Sequence, residues 1–427
     1  MIDKDWLIAD SDNSKEFSDS MEILDNAIFA DLHIHSRFSR ACSKNIDFEN
    51  LVKWAKIKGL DLLGTGDFTH PVWFNEIKEK LIDNGKGMYT YQGFPFIITG
   101  EVSLIYTQEK GRRIHLVLLV PNIEVAEKIN SYFDTKGRRD YDGRPIFNIS
   151  GEQFVKDMMK ISEDIEIIPG HAWTPWFGVF GSQSGFDSLK ECFKLEFDNV
   201  HAIETGMSSD PEMNWRIKEL ENKSIVSFSD SHSFWPFRLG REATIFKKTD
   251  SYKEIIRQIR ENDFIATIET DPAYGKYHWD GHRLCNFLCN TEKTEKLNGI
   301  CPICKKPLVI GVENRVEKLA DNPQNYKPKD AKPFYKVLPL HEIISLAIQS
   351  DMQGKKTWEI YNSLIREFSN EFNILLNISK ERLIKSNIDD KLIELILRNR
   401  EGKIKVKPGY DGEYGVAMLE EEQAKLV

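Results

Sequence analysis

Short apolar runs separated by amphipathic segments recur along the first two thirds of the 427-residue chain. Helical patterns lie between several of these runs, for example at residues 48–58 and 252–260. Strands that alternate with helices favour an α/β fold with a parallel sheet, closed into a barrel. Seven runs have the length and composition of strands, and they lie at residues 29–35, 60–65, 95–104, 113–120, 165–170, 200–204 and 224–229.

The pattern changes on either side of this region. Residues 1–27 are polar and acidic, which predicts a loosely ordered leader. A cysteine cluster follows the last strand and predicts a small zinc-binding domain at 271–312, after the barrel at 28–270. Residues 313–427 begin with a Lys- and Pro-rich connector and predict a mainly helical C-terminal, DNA-contacting region, with helical stretches at 340–350, 357–369 and 388–400.

Charge and hydropathy narrow the functional class. The net charge of −9 argues against a uniformly basic nucleic-acid binder, although it leaves room for a local basic track. No apolar run approaches membrane-spanning length, and the N-terminus lacks the pattern of a signal peptide. We therefore expect a cytoplasmic protein without a membrane partner. In a reducing compartment, clustered cysteines indicate metal binding before disulfide bonding.

Potential metal ligands occur at or near the ends of the predicted strands. The alternation in 29–35 sends Asp31, His33 and His35 to one face of the first strand. The later strands add Asp67, Glu101, His115, His171, Glu204, Asp230 and His232. Each of these has an ordinary structural interpretation when taken singly. Because the carboxyl ends of barrel strands converge on one face, the set as a whole predicts a metal centre there.

The order His33-x-His35, Asp67, Glu101, His115, His171 and Asp230-x-His232 resembles the polymerase-and-histidinol-phosphatase (PHP) superfamily. The resemblance covers roughly residues 28–270. It implies a distorted seven-stranded (β/α)7 barrel, with two or three divalent metals that catalyse phosphoester hydrolysis. The His and carboxylate ligands are compatible with Zn, Mn, Mg or Fe.

The resemblance also implies which residues bind each metal. His33, His35, Glu101 and Asp230 would hold the first, and Glu101 would bridge to a second held by His115 and His171. Asp67 and His232 would hold a third. Asp230, Glu101 and His171 would be the catalytic residues.

Two departures concern the third site. The superfamily often has a histidine where this chain has Arg40-Ala41-Cys42, and a histidine is common at the position of Asp67. His70 is an alternative ligand.

The cysteine cluster contains a zinc-knuckle pattern, Cys301-x-x-Cys304. A four-coordinate structural zinc needs two further donors. His282 and Cys285 supply a pair with the same spacing, while Cys285 and Cys289 form a rival pair. We favour His282 with Cys285, which leaves Cys289 outside the site. Four protein ligands would make this one zinc structural.

Motifs outside the metal ligands extend the resemblance to endonuclease Q, a branch of the superfamily with a zinc site and a helical C-terminal region. They are the segments 64–71, 170–178, 238–244, 277–282 and 408–412, and the similarity spans about residues 28–416. It implies cleavage of double- or single-stranded DNA 5′ to uracil, hypoxanthine or xanthine and at abasic sites. The products would carry a 3′-hydroxyl and a 5′-phosphate. Such an enzyme would be nucleoid-associated when it is bound to DNA.

Candidate substrate contacts lie next to the predicted ligands. The aromatic residues Trp173, Trp176 and Phe177 could stack on an extruded base, although each is equally consistent with an ordinary core position. Arg238 and Arg241 could bind phosphates, or Arg241 could pair with Glu242 or another acid instead. Two basic loops are candidates for a DNA track, and they contain Lys136, Arg138, Arg139 and Arg144, and Lys327, Lys329, Lys332 and Lys336.

Two other functions stay open at this level. A PHP-type phosphatase or nuclease could act on small phosphoesters or undamaged nucleic acid, although the zinc region and helical tail argue against small substrates. A non-catalytic DNA-binding protein is disfavoured, because the ligand set is nearly complete. The C-terminus contains no convincing clamp-binding peptide, so a sliding-clamp contact is left undecided.

Overall fold

The computed structural model describes residues 26–386 and 388–419, so nearly all of the predicted leader lies outside the described residues. The strands are β1 Ala27–Asp31, β2 Leu62–Gly64, β3 Ile82–Asp83, β4 Tyr89–Tyr91, β5 Phe94–Gln108, β6 Lys110–Val120, β7 Ile146–Phe147, β8 Glu166–Pro169, β9 Ala202–Glu204, β10 Ser224–Val226, β11 Ala243–Lys247, β12 Ala266–Glu269, β13 Asp280–His282, β14 Phe287–Cys289, β15 Phe334–Lys336, β16 Lys405–Lys407 and β17 Val416–Met418. Each of the seven predicted strands overlaps one of these.

The helices are α1 Phe48–Lys58, α2 Pro71–Lys80, α3 Ile123–Asp134, α4 Gly151–Ile161, α5 Leu189–Phe193, α6 Pro211–Trp215, α7 Tyr252–Arg260, α8 Thr291–Lys296, α9 Val312–Leu319, α10 Leu340–Ile348, α11 Lys355–Phe368, α12 Lys380–Lys385 and α13 Asp390–Arg400. Short 3-10 helices lie at Lys194–Asn199, Lys218–Leu220, Pro272–Tyr274 and Arg283–Cys285, and a π-helix at Asn373–Asn377. Within the described ranges, no helix is long and apolar enough to cross a bilayer.

The sheet is mixed, not uniformly parallel as expected. β1, β2 and β5 are parallel neighbours, but β6 is antiparallel to both β5 and β8. Only Glu109 separates β5 from β6, so these strands form a hairpin; a parallel crossover needs a dozen or more residues. β11 and β12 extend the sheet beyond β1 in antiparallel order.

Seven strands line one apolar core. β1, β2, β5, β6, β8, β9 and β10 each contribute at least one buried side chain to the same cluster, among them Ala30, Leu62, Ile97, Val117, Ile168, Ala202 and Val226. This inward layer is typical of α/β barrels. Among the described residues, however, no continuous ladder joins β8 to β9 or β10 to β1. The α/β class is therefore confirmed, and a closed (β/α)7 barrel stays a prediction.

The C-terminal region packs against this sheet. β15 pairs in parallel with β12, and helices α10 to α13 share a core with residues that follow β1. A buried ion pair joins the two regions, since Lys58 Nζ at the end of α1 lies 2.7 Å from Glu371 Oε1. Lys58 also donates to Pro236 O at 2.9 Å. The predicted domain boundaries stay a prediction.

Candidate metal centre

The hairpin register brings the first two ligands together. Ser103 pairs with His115 across the β5–β6 ladder, and Glu101 lies two residues before Ser103 on the same face. Diagonal neighbours of this kind are within reach of long side chains. His115 Nδ1 accordingly lies 2.8 Å from Glu101 Oε1. Glu101 had been expected at the end of its strand, but β5 continues seven residues further, to Gln108.

A first group of potential ligands consists of His33, His35, Glu101 and Asp230, whose ligand atoms lie within 4.8 Å of one another. His35 Nε2 is 2.9 Å from Asp230 Oδ1 and 3.5 Å from Glu101 Oε2. His33 Nε2 is 3.6 Å from Asp230 Oδ1 and 3.7 Å from Glu101 Oε1. These two imidazoles and two carboxylates come from β5 and from the loops after β1 and β10.

A second group shares one member with the first. Glu101, His115 and His171 bring their ligand atoms within 4.8 Å. Glu101 Oε1 is 3.2 Å from His171 Nε2, and His171 Nε2 is 3.1 Å from His115 Nδ1. Glu101 therefore lies between two histidine sets, in the position of a bridging carboxylate.

The atoms of the first group fit a bound cation. His33 Nε2 is buried and has no hydrogen-bond partner among the described residues. It faces the carboxylate oxygens of Glu101 and Asp230 at distances longer than a hydrogen bond. A buried donor or acceptor without a partner is costly, and a metal bound between these atoms would remove that cost.

Two buried carboxylates contact the Nδ1 atoms of His33 and His35 and so orient both rings. His33 Nδ1 lies 2.8 Å from Glu204 Oε1, and His35 Nδ1 lies 3.0 Å from Asp67 Oδ1. A carboxylate on Nδ1 fixes the ring and directs the Nε2 lone pair outward, as second-sphere acids do in metal sites. Glu204 Oε2 also accepts from the His171 backbone N–H at 2.7 Å. Glu204 thus contacts ligands of both groups.

The predicted third site is not assembled in this conformation. Besides its contact with His35, Asp67 accepts from Ser36 N, Ser36 Oγ and Ser39 Oγ at 2.6–2.8 Å, and it is fully buried. Gly143 packs closely against this carboxylate, since a Cβ on Gly143 would lie 2.1 Å from Asp67 Oδ2. His232 Nδ1 lies 2.9 Å from the Asp230 carbonyl oxygen. The third site stays a prediction.

His70 stacks on Phe38, with the ring centroids 4.2 Å apart, and belongs to none of the ligand groups. Asp31 also has another role. It accepts hydrogen bonds from Ser229 N, Ser229 Oγ and Gly240 N and so fixes the turn that precedes Asp230.

Backbone conformation directs several of these side chains. Asp67, His171 and Asp230 have φ values of 44°, 31° and 49°. Non-glycine residues rarely adopt positive φ, and such strain clusters at functional sites. Each of the three follows a strand closely, so the chain turns sharply there. Sequence patterns gave no sign of this strain.

Charge around Glu101 keeps it ionised. Although burial raises its pKa, the neighbouring His115 and Arg144 outweigh burial and hold the pKa well below its usual range. Arg144 Nη1 lies 3.2 Å from Glu101 Oε2. The pKa of Asp230 is likewise well below normal, because His232, His35 and His33 outweigh its burial. The site therefore presents two carboxylates as anions.

A cavity of about 700 Å³ adjoins the centre and is lined by Asp230, His232, Arg238, Arg241 and Tyr277, among others. Arg241 donates from Nε and Nη2 to Ser229 O, while its Nη1 is buried without a partner among the described residues. No ion pair between Arg241 and Glu242 is present in the described ranges. An arginine donor without a partner favours an anionic or carbonyl ligand in this cavity.

The aromatic residues predicted to contact substrate occupy different environments. Trp173 is fully buried and donates to Asn214 Oδ1 at 2.7 Å, so it lies in the core in this conformation. Trp176 is half-buried against Tyr277, which lines the cavity. Phe177 covers the His115 ring at 4.4 Å. Their substrate-binding roles stay predictions.

The two basic loops lie at opposite ends of the sheet. Arg139 donates to Thr69 O and Arg144 reaches Glu101, so the first loop borders the metal centre. In the second loop, Tyr326 bonds Glu221, and Asp330 O accepts from Asn262, near the amino ends of β10 and β12. Lys336, at its end, is paired with Asp210 at 2.7 Å.

The cysteine cluster assembles as a separate four-ligand group. His282, Cys285, Cys301 and Cys304 have ligand atoms within 4.8 Å of one another. Cys289 lies outside the group, with its Sγ 3.2 Å from Thr294 Oγ1. Three thiolates and one imidazole are ligands suited to a structural zinc.

Two contributors to the site have roles that the sequence did not predict. The sequence places Glu204 among the potential metal ligands and Arg144 in a basic loop, whereas Glu204 orients His33 and Arg144 contacts Glu101. The position of Glu204 among strand ends was an available signal for its role. Arg144 offered none, because its loop approaches Glu101 only in the folded chain.

A family model and two curated proteins are similar to parts or most of this chain. The model of a family described as the MJ0043 C-terminal domain matches residues 339–403. Protein MJ0043 of Methanocaldococcus jannaschii is 34% identical over 285 residues, which is 65% of this chain but only 34% of that protein. Protein YqxK of Bacillus subtilis is 24% identical over 412 residues, covering 91% of this chain and 98% of YqxK.

Two solved structures are similar over nearly their whole length. One is the lesion-specific endonuclease PfuEndoQ from Pyrococcus furiosus. The other is an endonuclease Q complex with a 27-mer duplex substrate that has an abasic lesion at the active site. Each has a TM-score of 0.83 and 30% identity, and each match covers 93% of this chain and 97% of the solved one.

Proposed function

Because this chain belongs to the endonuclease Q family, we propose that it is a DNA repair endonuclease. It hydrolyses the phosphodiester bond 5′ to a deaminated base (uracil, hypoxanthine or xanthine) or an abasic site, through a metal centre of two divalent ions. The position of Glu101 carries this proposal, since it belongs to both ligand groups and would join them into one dinuclear site.

His33, His35, Glu101 and Asp230 would hold one cation, and Glu101, His115 and His171 the other. When bound, two such cations stabilise the attacking and leaving oxygens of an in-line displacement at phosphorus and generate hydroxide near neutral pH. Zn, Mn, Mg and Fe are compatible with these ligands. The His282 and Cys285, Cys301, Cys304 set would hold one structural zinc.

The protein's own groups orient the reaction. Asp230 reaches the cavity, with a side chain 26% exposed, and can align the attacking water and accept its proton. Arg144 offsets the negative charge of Glu101. Arg238 and Arg241 line the same cavity and supply donors for the DNA backbone or the lesion. Cleavage on the 5′ side of the lesion leaves a 3′-hydroxyl and a 5′-phosphate.

The cavity next to the centre supports lesion recognition. A repair nuclease must extrude the damaged nucleotide, at an unstacking cost of a few kcal/mol. The cavity volume of about 700 Å³ is sufficient for a base, and Tyr277 and Tyr414 provide aromatic surface in its walls. Undamaged, paired bases would have to pay the full cost of extrusion, which favours lesions.

An end-labelled duplex assay tests the proposal. The protein is incubated with Mn²⁺ or Mg²⁺ and duplexes that carry one uracil, hypoxanthine or abasic site, beside an undamaged duplex. Cleavage confined to the 5′ side of the lesion is expected. Equal cleavage of the undamaged control, or release of inorganic phosphate from small esters with the duplexes intact, would contradict it and favour a general nuclease or a phosphatase.

A further inference from the structure

A second concave surface lies beside the cavity of the metal centre. It has a volume of about 550 Å³, and we call it the basic–aromatic groove. It is lined by Arg37, Lys44, Asn45, Ile46, Asp47, Asn50, Lys53, Trp54, Lys80, Phe234 and Trp235. None of the roles assigned above involves this surface.

The groove adjoins the metal-site cavity, because consecutive residues of two chain segments line the cavity and then the groove. Residues 41–43 line the cavity and residues 44–47 line the groove; likewise 230–233 line the cavity and 234–235 the groove. The segments are joined where Ser43 N donates to His232 O at 3.0 Å. A polymer bound across the metal centre would therefore pass from the cavity into the groove.

The charge of the groove is opposite to that of the whole chain. Its lining contains four cationic side chains and one carboxylate, Asp47, in a protein of net charge −9. Arg37 and Lys80 are both paired with Glu76, and Asp47 is engaged in capping α1. Lys44 and Lys53 have no ion-pair partner within the described part of the chain. These two exposed amino groups remain available for an anionic ligand.

The groove also contains a rigid aromatic platform. Trp235 is 37% exposed, and its ring centroid lies 5.2 Å from Trp54 and 5.5 Å from Trp358. The backbone after Trp235 is fixed, because Pro236 O accepts a hydrogen bond from the buried Lys58 Nζ. The C-terminal helix α11 supplies Trp358 and so supports the platform from the far side.

Exposed lysines beside a fixed tryptophan ring form the usual combination for single-stranded nucleic acid, with the backbone following the cations and a base stacking on the ring. A base can stack on Trp235 only if one of its faces is free of its neighbours. We propose that the basic–aromatic groove binds the DNA strand that flanks the cleaved phosphodiester, with Trp235 stacking on an unpaired base. This inference rests on the proposed function.

Matched charge variants provide the test. Lys44→Glu/Lys53→Glu reverses charge in the groove. Lys248→Glu/Lys253→Glu makes the same change in net charge at exposed positions at the opposite end of the sheet, beside the amino end of β1. Trp235→Ala removes the platform. Binding and single-turnover cleavage are measured on lesion duplexes that are fully paired, or that have one unpaired nucleotide beside the lesion on either side. Circular dichroism establishes that each variant is folded.

The groove variants should bind about tenfold or more weakly than wild type, while the opposite-end variant binds like wild type. The slope of log affinity against log salt should fall by roughly two for Lys44→Glu/Lys53→Glu. Wild type should bind a lesion duplex with an unpaired nucleotide on one side of the lesion more tightly than the fully paired duplex. Trp235→Ala should lose that preference.

Equal binding by the groove and opposite-end variants, in a wild type that cleaves lesions, would overturn the groove proposal alone. A wild type that cuts no lesion but binds undamaged single-stranded DNA through Lys44 and Lys53 would overturn the proposed repair function and retain the groove. Absence of both cleavage and DNA binding would overturn both.

Discussion

The Nδ1 atom of His33 lies 2.8 Å from Glu204 Oε1, and both side chains are buried. The same carboxylate accepts from His171 N, so one acid orients a ligand of each group. Glu204→Gln removes this charge without changing the size of the side chain. We expect a 10- to 100-fold loss of metal affinity in the centre, which metal titration would measure. Glu359→Gln, at an exposed position on α11, is the control and should bind metal like wild type.

Asp230 and His171 provide a direct test of the metal ligands. Asp230→Asn and His171→Ala each remove one ligand from a loop after a strand, so the fold should be retained. Cleavage should fall below detection in both, measured on an abasic duplex alongside circular dichroism. Full activity in both variants would refute the ligand assignment.

Metal stoichiometry tests whether a third barrel ion is present. Because Asp67 already accepts four hydrogen bonds, we expect three ions per chain in total, two in the centre and one in the cysteine group. Elemental analysis of His232→Ala should still give three. Four ions in wild type and three in His232→Ala would restore the third site.

The cysteine group allows a comparison between neighbouring thiols. Cys304→Ser should release the zinc and destabilise the region of β13 and β14, because binding of a structural zinc contributes directly to folding. Cys289→Ser removes only the contact with Thr294 and should keep one zinc. Zinc content and thermal unfolding are the measurements. Loss of zinc from Cys289→Ser would instead favour the rival pair.

A buried acid pair predicts pH-dependent stability. Burial and the nearby Glu242 raise the pKa of Glu269 well above its ordinary value of 4.5. A carboxyl group whose pKa rises on folding stabilises the folded state fully below about pH 4.5, and this contribution is lost as pH rises through the folded pKa. Among the residues that the structure describes, the hydrogen-bond partners of the Glu269 carboxyl are the hydroxyls of Thr205, Ser227 and Thr267, which can donate or accept.

Glu269→Gln should therefore fold and reduce the fall in stability between pH 5 and 8. The free energy of unfolding of the variant should therefore rise relative to that of wild type across this range. Urea denaturation at each pH is the measurement. Both proteins have the same metal ligands, so these ligands do not contribute to the difference between the two proteins. If the curves of unfolding free energy against pH are parallel for the two proteins, Glu269 is ionised in the folded state and the prediction is wrong.

Local sequence patterns were sufficient to predict where the main strands and helices lie and which residue types form the candidate metal centre. The helices at 48–58 and 252–260 occur where their apolar periodicity places them, and all seven strand runs contain or overlap a strand. The sequence also supplied the histidines and carboxylates that meet at one end of the sheet. Periodicity is a local property, so it can be read without knowing the fold.

Only the tertiary structure decided how these residues are used. It placed Glu101 diagonally across a hairpin from His115, because strand register depends on pairing partners and not on composition. It placed Asp67 in hydrogen-bonding distance of Ser36 and Ser39, and it brought Arg144 to Glu101 from 43 residues away. Such contacts join distant parts of the chain, and no local pattern specifies them.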